Sequence, residues 1–421
     1  MYRAPRGTTD ILPQDQAAWG HVLRTAETIA QRYGYARIDT PIFEDTDLFA
    51  RSVGQGTDIV DKEMYVFEDR GRNSLALRPE GTAGVCRAYL EHGMASWPQP
   101  VKLYYLGPQF RYDRPQAGRY RQFHQFGIEA VGEADAALDA EAIDLHWRVY
   151  SELGLRELTL VLNSIGDPAC RPGYLQALSA YYAGHLEEVC ATCRERYERN
   201  VLRLLDCKEE RCQPIIAEAP HSADYLCADC QAHYDMLRGY LATLAIPFVE
   251  SHRLVRGLDY YTRTIWEVEP KPAGSQSALG GGGRYDGLME ALGGRATPGV
   301  GFALGIERTL QMLRQQEVAL PEAERPSVYV APIGTAARDA AMRLAAQLRA
   351  HGVSAVLGVG DRSLRAHLRS ANALGARYAA ILGETEMAEG TVTLRDMGTG
   401  EQREVAWSAV TDEVSKEKSQ Q

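Results

Sequence analysis

The sequence predicts an α+β protein, in which an antiparallel-sheet core carries a helical insertion and is followed by a smaller C-terminal α/β domain with a mixed sheet. Three observations lead to this prediction. Residues 103–131 alternate between two faces, as a long antiparallel hairpin does. Residues from about 168 to 247 change to helical patterns, and a polar linker near residues 319–326 precedes alternating strands and helices. We therefore expect domains at 1–322 and 323–421.

The bulk composition is that of an ordinary soluble protein. The 421 residues are 45% hydrophobic and 24% charged, with a formal net charge of -10. An acidic total leaves a nucleic-acid partner open, because affinity follows local basic patches. The arginines near the start have no apolar run behind them, and no window reaches the roughly 20 apolar residues of a membrane span. We expect a cytoplasmic protein without a membrane partner, whose eight cysteines are reduced thiols or metal ligands.

In chain order, the first predicted element is an amphipathic helix. Thr9 or Asp10 can cap it, Pro13 favours its first turn, and apolar residues at helical spacing continue to Gly34. A strand is expected over residues 35–40. This helix packs either on its own domain or against a partner, and the pattern alone fits both.

Glu80 and Thr82 lie at a predicted corner between a strand and a helix. Short strands are expected at residues 63–67 and 75–78, and a helix begins near Thr82. Side chains at such a corner point into a cleft, and the first N–H groups of the helix lack partners. A Glu-Gly-Thr turn is common in proteins, so it indicates a functional site here only because it lies just ahead of the hairpin.

The hairpin itself is predicted as strands 103–112 and 121–130, joined by a polar loop that contains Pro115 and Gly118. One face carries apolar side chains, at Leu106, Phe110, Phe126 and Ile128. The opposite face carries Gln109, Arg111, Arg121, Phe123, Gln125 and Glu129. Guanidinium groups suit phosphate and carboxylate oxygens, and an aromatic ring among them offers a stacking surface for a base. This face therefore indicates a nucleotide and a small zwitterion, and the alternative is a half-solvated sheet face with scattered charges.

After a predicted helix at 140–153 and a strand at 159–163, the insertion holds six of the eight cysteines between residues 190 and 230. Two pairs have the Cys-x-x-Cys spacing of zinc ligands, and two more cysteines lie between the pairs. These six are Cys190, Cys193, Cys207, Cys212, Cys227 and Cys230. A structural zinc ion and a set of small buried core residues are both consistent with the pattern.

Strand patterns return in LVRGLDYYTRTIWEVE and SALGGGGRYDGL. The four glycines Gly280 to Gly283 let the backbone approach a ligand closely, but no Lys-Ser or Lys-Thr follows, so this is not a Walker A loop. An amino-acid pocket fits better. A strand at 300–304 then leads into a helix near Ile306, with Arg308 in its first turn.

The C-terminal domain is predicted as alternating strands and helices that end in a hairpin. The expected strands are 328–331, 354–357 and 378–382, and the expected helices are 336–351 and 364–374. Arg362, Arg365 and Arg369 form a basic stripe on the second helix. The stripe suits RNA phosphates, and it is equally consistent with an ordinary solvated face.

The segment GPQFRYDRPQAGRYRQFHQFGIE resembles motif 2 of the class II aminoacyl-tRNA synthetases, in the version found in histidyl-tRNA synthetases. Further segments resemble that family in the same order along the chain: RPEGT, RGLDYYT, LGGGGRYDG and the motif 3-like GFALGIER. The resemblance covers nearly the whole chain.

This resemblance implies a homodimer with a class II catalytic sheet, whose first helix and strand form the dimer interface. It implies an insertion that leans over the tRNA acceptor stem and a C-terminal anticodon-binding domain. The implied reaction joins histidine and ATP to histidyl-adenylate, releases diphosphate and transfers histidine to tRNA(His), with Mg²⁺ bound mainly by ATP. The alternatives are another class II synthetase and a non-catalytic relative, the histidine-binding regulatory subunit of ATP phosphoribosyltransferase.

The resemblance also assigns expected roles to individual residues, with Arg111 and Arg256 as the catalytic pair at the α-phosphate. Histidine is expected at Glu80, Gly81, Thr82, Arg111, Gln125, Glu129, Arg256, Tyr260, Tyr261 and Tyr285. ATP is expected at Arg111, Arg119, Arg121, Phe123 and Arg308. tRNA contacts are expected at Gln116, Arg362, Arg365 and Arg369. No catalytic metal site of the protein's own residues is expected, and structural zinc stays open.

Overall fold

The structure is a computed structural model that describes residues 2–54, 57–113, 118–271 and 278–416. The chain divides into two compact units, Met1–Pro321 and Glu322–Gln421. No helix in the described ranges is long and apolar enough to cross a membrane.

The first unit is built on an eight-stranded sheet and a small three-stranded sheet. Its strands are β1 (Ala36–Arg37), β2 (Phe43–Asp45), β3 (Tyr65–Glu68), β4 (Ser74–Leu77), β5 (Val101–Phe110), β6 (Gln122–Val131), β7 (Leu158–Ser164), β8 (Phe248–Glu250), β9 (Thr262–Pro270), β10 (Gly280–Arg284) and β11 (Gly299–Gly305). The large sheet has the order β1-β5-β6-β11-β10-β9-β7-β8, and the small one β2-β4-β3. Only the two outermost pairs of the large sheet, β1 with β5 and β7 with β8, are parallel. Its six central strands are antiparallel, as expected.

Helices cover the large sheet and form the insertion. They are α1 (Gln16–Arg32), α2 (Thr46–Val53), α3 (Thr82–Glu91), α4 (Ala136–Glu152), α5 (Arg171–Ala183), α6 (Ala191–Arg199), α7 (Gln213–Ala217), α8 (Ala228–Thr243), α9 (Leu288–Ala291) and α10 (Ile306–Gln315). The main hydrophobic core joins α1, α4, α8 and α10 to one face of the sheet. The insertion has a smaller core of its own, which α5, α6 and α7 share.

The hairpin of β5 and β6 forms with the predicted alternation, one to two residues away from the predicted ends. Phe126 and Ile128 are fully buried in the main core. The odd-numbered residues face the other side, and the pairs Tyr105 with Gly127 and Gln109 with Phe123 lie directly opposite each other in the ladder. One face of the hairpin therefore lies in the main core, while the opposite face packs against α3 through Leu103, Tyr105 and Val131 and lines cavities nearer the loop.

The N-terminal predictions need two corrections. Neither Thr9 nor Asp10 caps the first helix, because Leu12 is extended and a single 3-10 turn, Pro13–Asp15, leads into α1. The strand expected at 35–40 is reduced to β1, because the backbone carbonyl of Thr40 accepts a hydrogen bond of 2.9 Å from the Arg78 guanidinium and pairs with no strand.

A buried ion cluster fixes the inner side of β10. Arg284, which is fully buried, donates to the equally buried Asp139 of α4 and to Asp286. His233 of α8 reaches the same Asp139 carboxylate, with Nε2 to Oδ1 at 3.2 Å. Burial opposes ionisation of Asp139, but the Arg284 guanidinium and the hydrogen bond with His233 hold the pKa of Asp139 below its ordinary value. The last helix of the insertion, α8, is thereby connected to the large sheet.

The second unit is a three-layered α/β domain with a mixed sheet, as predicted. Its elements are β12 (Val328–Pro332), α11 (Arg338–Ala350), β13 (Ala355–Leu357), α12 (Leu364–Ala373), β14 (Tyr378–Leu382), α13 (Glu384–Glu389), β15 (Thr391–Asp396), β16 (Gln402–Ala406) and α14 (Val410–Lys416). The order is β13-β12-β14-β15-β16, parallel in the first three strands and antiparallel beyond them. Sequence patterns missed the two shortest helices, α13 and α14, which are too brief to show a full helical period.

Candidate active site

Two cavities meet on the odd-numbered face of the hairpin. The outer one has a volume of about 430 Å³, and the inner one about 50 Å³. Six residues line both of them: Arg111, Gln125, Arg256, Leu258, Gly281 and Ala303. The junction therefore carries two guanidinium groups and one amide, and the inner cavity opens into the outer one past them.

The corner between β4 and α3 forms one wall of the inner cavity. Glu80 is buried, and its carboxylate accepts the N–H groups of Thr82 and Ala83 at 2.7 and 2.8 Å. These are two of the first N–H groups of α3, which lack helical partners. Burial raises the pKa of Glu80 above its ordinary value. As predicted, Glu80 and Thr82 line the cavity.

Glu129 lies directly behind this wall. Thr82 Oγ1 donates to Glu129 Oε1 at 2.6 Å, and the Tyr285 hydroxyl donates to Oε2 at 2.6 Å. Glu129 is 1% exposed, and burial raises its pKa to about 8. Both of its hydrogen-bond partners line the inner cavity. Glu129 is therefore held in place by two cavity residues, although it is not itself among the residues that line either cavity.

Arg111 stands at the junction and is held from two sides. Its Nε donates to the Pro79 carbonyl at 2.9 Å, and its guanidinium lies 5.3 Å from the ring centre of Phe123. Arg111 lines both cavities. Burial lowers the pKa of Arg111, and the carboxylates of Glu63 and Glu80 act in the opposite direction. An arginine stays charged under both influences.

Arg256 approaches the same junction from the segment before β9. Its Nη1 donates to Glu267 of β9, and its guanidinium lies 5.7 Å from the ring centre of Tyr261. Burial opposes the charge, yet the Glu267 carboxylate and Tyr261 keep the pKa of Arg256 above its ordinary value. Arg256 Nε is buried without a hydrogen-bond partner. Arg256 is thus a cation that Glu267 holds in place, and its Nε–H group is left without a hydrogen-bond partner.

Aromatic and amide groups complete the inner cavity. Tyr260, Tyr261 and Tyr285 line it, with ring centres of Tyr260 and Tyr261 4.7 Å apart. Gln125 Oε1 is buried without a hydrogen-bond partner. An unpaired amide oxygen beside phenol hydroxyls suits a ligand that donates hydrogen bonds, as an ammonium group or an imidazole N–H does.

Phe123, Arg308 and Arg119, which the resemblance assigns to ATP, line the outer cavity. Arg308 donates to the backbone carbonyls of Gly118 at 2.9 Å and Ala278 at 2.8 Å, so it holds the ends of two loops. Arg119 pairs with Asp113 at 3.0 Å. The outer cavity therefore combines an aromatic surface with several cations, as a nucleotide triphosphate site requires.

Some predicted residues lie elsewhere. Arg121 is not among the residues that line these two cavities; its guanidinium stacks on the Tyr112 ring at 3.7 Å from the centre. Gly81 lies behind the wall, where a side chain would collide with the Tyr105 ring at 2.3 Å. Gln116 lies outside the described residues.

The basic stripe belongs to the second unit. Arg362, Arg365 and Arg369 are all exposed. Arg362 precedes α12 and is not part of that helix, and its Nη1 donates to the Ser370 hydroxyl at 3.3 Å. The three side chains are available to a polyanion, and their exposure alone does not identify one.

Tyr105 and Glu267 are among the lining residues that sequence patterns missed. Tyr105 lines the inner cavity and lies in the same period-two series as Gln109 and Arg111, so the alternation could have found it. Glu267 lines the outer cavity and anchors Arg256. Its pairing depends on how the chain folds back before β9, and no local pattern encodes that.

Comparison with known proteins places this geometry in a family. A family model described as "Histidyl-tRNA synthetase" matches residues 7–309, and one described as "Anticodon binding domain" matches residues 327–417. The chain is 55% identical to a protein of Dehalococcoides mccartyi named "Histidine--tRNA ligase", over 99% of this chain and all of that protein. It is 52% identical to a protein of the same name from Moorella thermoacetica, over 98% of each.

A solved structure agrees with these sequence relatives. The crystal structure of apo S. aureus histidyl-tRNA synthetase superimposes with a TM-score of 0.82 at 38% identity, covering 98% of this chain and 100% of that one. A structure from Nostoc sp. PCC 7120, titled as a histidyl-tRNA synthetase, has a TM-score of 0.68 at 20% identity and supports the fold alone. The predicted fold class, an antiparallel synthetase core with a C-terminal anticodon-binding domain, is confirmed.

Proposed function

The chain belongs to the histidyl-tRNA synthetase family, and from that membership we propose that it ligates histidine to tRNA(His) in two steps within the arrangement described above. In the first step, a histidine carboxylate oxygen attacks the α-phosphorus of ATP, the bond to the β-phosphate breaks, and diphosphate leaves. In the second, a hydroxyl of the 3'-terminal ribose of tRNA attacks the activated carbonyl, and AMP leaves.

The observation that carries this proposal is the shared lining of the two cavities. Arg111 and Arg256 line both of them, so a small ligand inside and a nucleotide outside would meet between two guanidinium groups. A carboxylate and an α-phosphate are the two anionic groups that must be brought together in the first step. Positioning and stabilisation of the phosphoryl charge are sufficient catalysis for this reaction, because a carboxylate nucleophile needs no base.

Histidine is assigned to the inner cavity. Glu80, Thr82 and Gln125 offer acceptors for its ammonium group, and Arg111 offers donors for its carboxylate. A neutral imidazole has one donor and one acceptor. Glu129 and the Tyr261 hydroxyl can pair with these two nitrogens, and other amino acids would leave the buried groups unpaired.

ATP is assigned to the outer cavity as its magnesium complex. The adenine ring would lie between Phe123 and Arg308, and Arg119 would face the phosphates, while a role for Arg121 requires its guanidinium to leave the Tyr112 ring. Phosphate oxygens would be the main ligands of Mg²⁺, which prefers oxygen and keeps several waters. Mg²⁺ neutralises the charge that develops on the departing diphosphate.

For tRNA, we propose that the second unit, from about residue 323, binds the anticodon, which the matching family model supports. Arg362, Arg365 and Arg369 would contact its phosphates, and Gln116 would contact the acceptor end. This reaction belongs in the cytoplasm, where tRNA is charged.

We further propose a homodimer built on the first unit. The small sheet exposes apolar side chains that a monomer would leave in water: Ile42 (45% exposed), Phe43 (48%), Val66 (52%) and Phe67 (41%). Phe43 and Phe67 also pack edge to face, with ring centres 6.3 Å apart. A rigid apolar patch of this kind marks a protein interface. Light scattering at micromolar concentration should give twice the chain mass, and Phe43→Glu should give a monomer.

The function is tested by diphosphate exchange into ATP, measured with each of the twenty amino acids. Histidine alone should support exchange. The histidine-binding regulatory paralogue should show none, and a different class II synthetase would respond to another amino acid. The match to an anticodon-binding family model and the 55% identity over full length favour the synthetase. Exchange that is absent with every amino acid, in well-folded protein, would refute the proposal.

A further inference from the structure

The insertion brings four cysteine sulfurs together. Cys190, Cys193, Cys207 and Cys212 come from three separate segments, and their Sγ atoms all lie within 4.8 Å of one another. Cys190 and Cys207 are 3.8 Å apart, and Cys193 and Cys212 are 4.0 Å apart. Sequence spacing singles out two Cys-x-x-Cys pairs without assigning the ligands of one site, and the fold groups Cys190 and Cys193 with Cys207 and Cys212.

These separations match a tetrahedral zinc site. Zinc binds thiolate sulfur at about 2.3 Å, so the sulfurs of a regular tetrahedron lie about 3.8 Å apart. Disulfide sulfurs are much closer, at about 2.05 Å, and all four cysteines are free. The four-sulfur set has the composition that zinc prefers in structural sites.

The backbone around the sulfurs fits a metal-bound thiolate. Cys190 is the residue before α6, and its Sγ accepts the N–H of Cys193 at 3.4 Å. The Cys190 N–H points to the Cys212 Sγ at 3.3 Å. N–H groups directed at sulfur stabilise negative charge on it and orient it for a cation. The first of these contacts also caps α6, so the case for a metal rests on the four converging sulfurs and on the second contact.

The surroundings explain what a metal would add. Cys193, Cys207 and Cys212 are buried in the small core of the insertion. Between α5 and α8, the described backbone contains only short helices and turns, with no sheet ladder. A core of this size gains stability from a metal that closes loops.

We propose that Cys190, Cys193, Cys207 and Cys212 bind one structural zinc ion that holds the insertion together. The nearby group of Asp167, Cys170, Cys227 and Cys230 provides the contrast. Its carboxylate already accepts the N–H groups of Ala169 and Cys170, at 3.0 and 3.3 Å, and faces Arg263 at 3.6 Å. The Asp167 carboxylate is thus already engaged in the turn before α5 and in an ion pair, so the proposal does not include this group.

The test measures metal per chain in full-length protein purified without added metal. The parental chain should contain one zinc per chain, and Cys190→Ser should lose one metal equivalent. Cys190→His should keep it, because three cysteines and one histidine also form a tetrahedral site. Cys227→Ser is the matched control, a cysteine of the same insertion outside the cluster, and should leave the zinc of the four-sulfur cluster in place. Cys190→Ser with unchanged metal content would overturn the proposal.

A second measurement covers the case in which Cys190→Ser does not fold. Parental protein treated with chelator should take up one Co²⁺ per chain, with the absorption of a tetrahedral cobalt thiolate, and should become sensitive to proteolysis between residues 184 and 220 while metal-free. Parental protein that is folded, metal-free as purified and without cobalt absorption would rule the site out.

Discussion

Arg256 is the residue whose replacement separates catalysis from folding most clearly. Arg256→Ala should slow adenylate formation, because its guanidinium lines the junction where charge grows on the α-phosphate. Loss of one preorganised donor to such charge costs about 3 kcal/mol, which is about two decades in rate. Dissociation constants for histidine and ATP should change less. Arg256→Lys should recover only part of the rate, since a point charge cannot replace two parallel donors.

The same replacement leaves Glu267 without its partner. The two side chains are 20% and 18% exposed, so their separation should cost about 2 kcal/mol of stability, between the values for surface and fully buried pairs. Arg256→Met combined with Glu267→Gln removes the orphaned carboxylate. This double variant should regain most of the melting temperature and none of the rate.

Single-turnover adenylate formation, followed beside a melting curve at the same pH, distinguishes the two contributions. A well-folded Arg256→Ala protein that activates histidine at the parental rate would eliminate the catalytic role. If the double variant regains both the rate and the melting temperature, Arg256 contributes to stability and not to catalysis.

Four further predictions concern the rest of the chain. A chain ending at Pro321, which keeps the core contact of Leu320, should retain histidine-dependent exchange but charge tRNA poorly; equal charging would contradict the domain assignment. Glu129→Ala should weaken histidine binding far more than ATP binding, and equal losses in a calorimetric titration would refute its role. Since burial raises the pKa of Glu129 to about 8, the folded chain keeps a proton that the unfolded chain releases, so parental stability should fall from about pH 4.5 towards pH 8. The expected loss of stability is a few kcal/mol, at about 1.4 kcal/mol per pKa unit. Glu129→Gln should abolish this loss in a series of melting curves recorded across the same pH range. Gly281→Ala should raise the KM values of both substrates, because a Cβ there would lie 2.7 Å from the Trp266 carbonyl oxygen and 2.8 Å from Arg256 Nη1 and would displace both; unchanged steady-state kinetics would count against the shared wall, and a melting curve separates a loss of folding from a change at the wall.

The parts of the site that follow from local patterns were predictable. Alternation along β5 and β6 put Arg111, Phe123 and Gln125 on one face, and the structure has them there. Alternation also placed Arg121 on this face, but its strand begins only at Gln122, and outside the ladder its side chain turns onto Tyr112. Arg111, one residue beyond the end of β5, keeps the predicted face, so alternation extends past the ladder on this strand and not on its partner.

Contacts between distant segments were not predictable. The sequence shows where Cys-x-x-Cys pairs occur, but the grouping of Cys190 with Cys207 and Cys212 depends on the path of the loop between α6 and α7. The Arg256–Glu267 pair likewise depends on the turn before β9. Such contacts are fixed by tertiary packing, which one sequence does not specify residue by residue.

The position of β11 determines how late in synthesis the large sheet can be completed. This strand pairs with β6 on one side and β10 on the other, although it is the last strand of the sheet to leave the ribosome. Until Gly299–Gly305 emerges, the hairpin of β5 and β6 has an open edge beside Phe126 and Ile128, and an open apolar edge recruits other chains. Nascent chains released before Gly299 should therefore sediment as aggregates in cell-free synthesis, and chains released after Pro321 should stay in the supernatant.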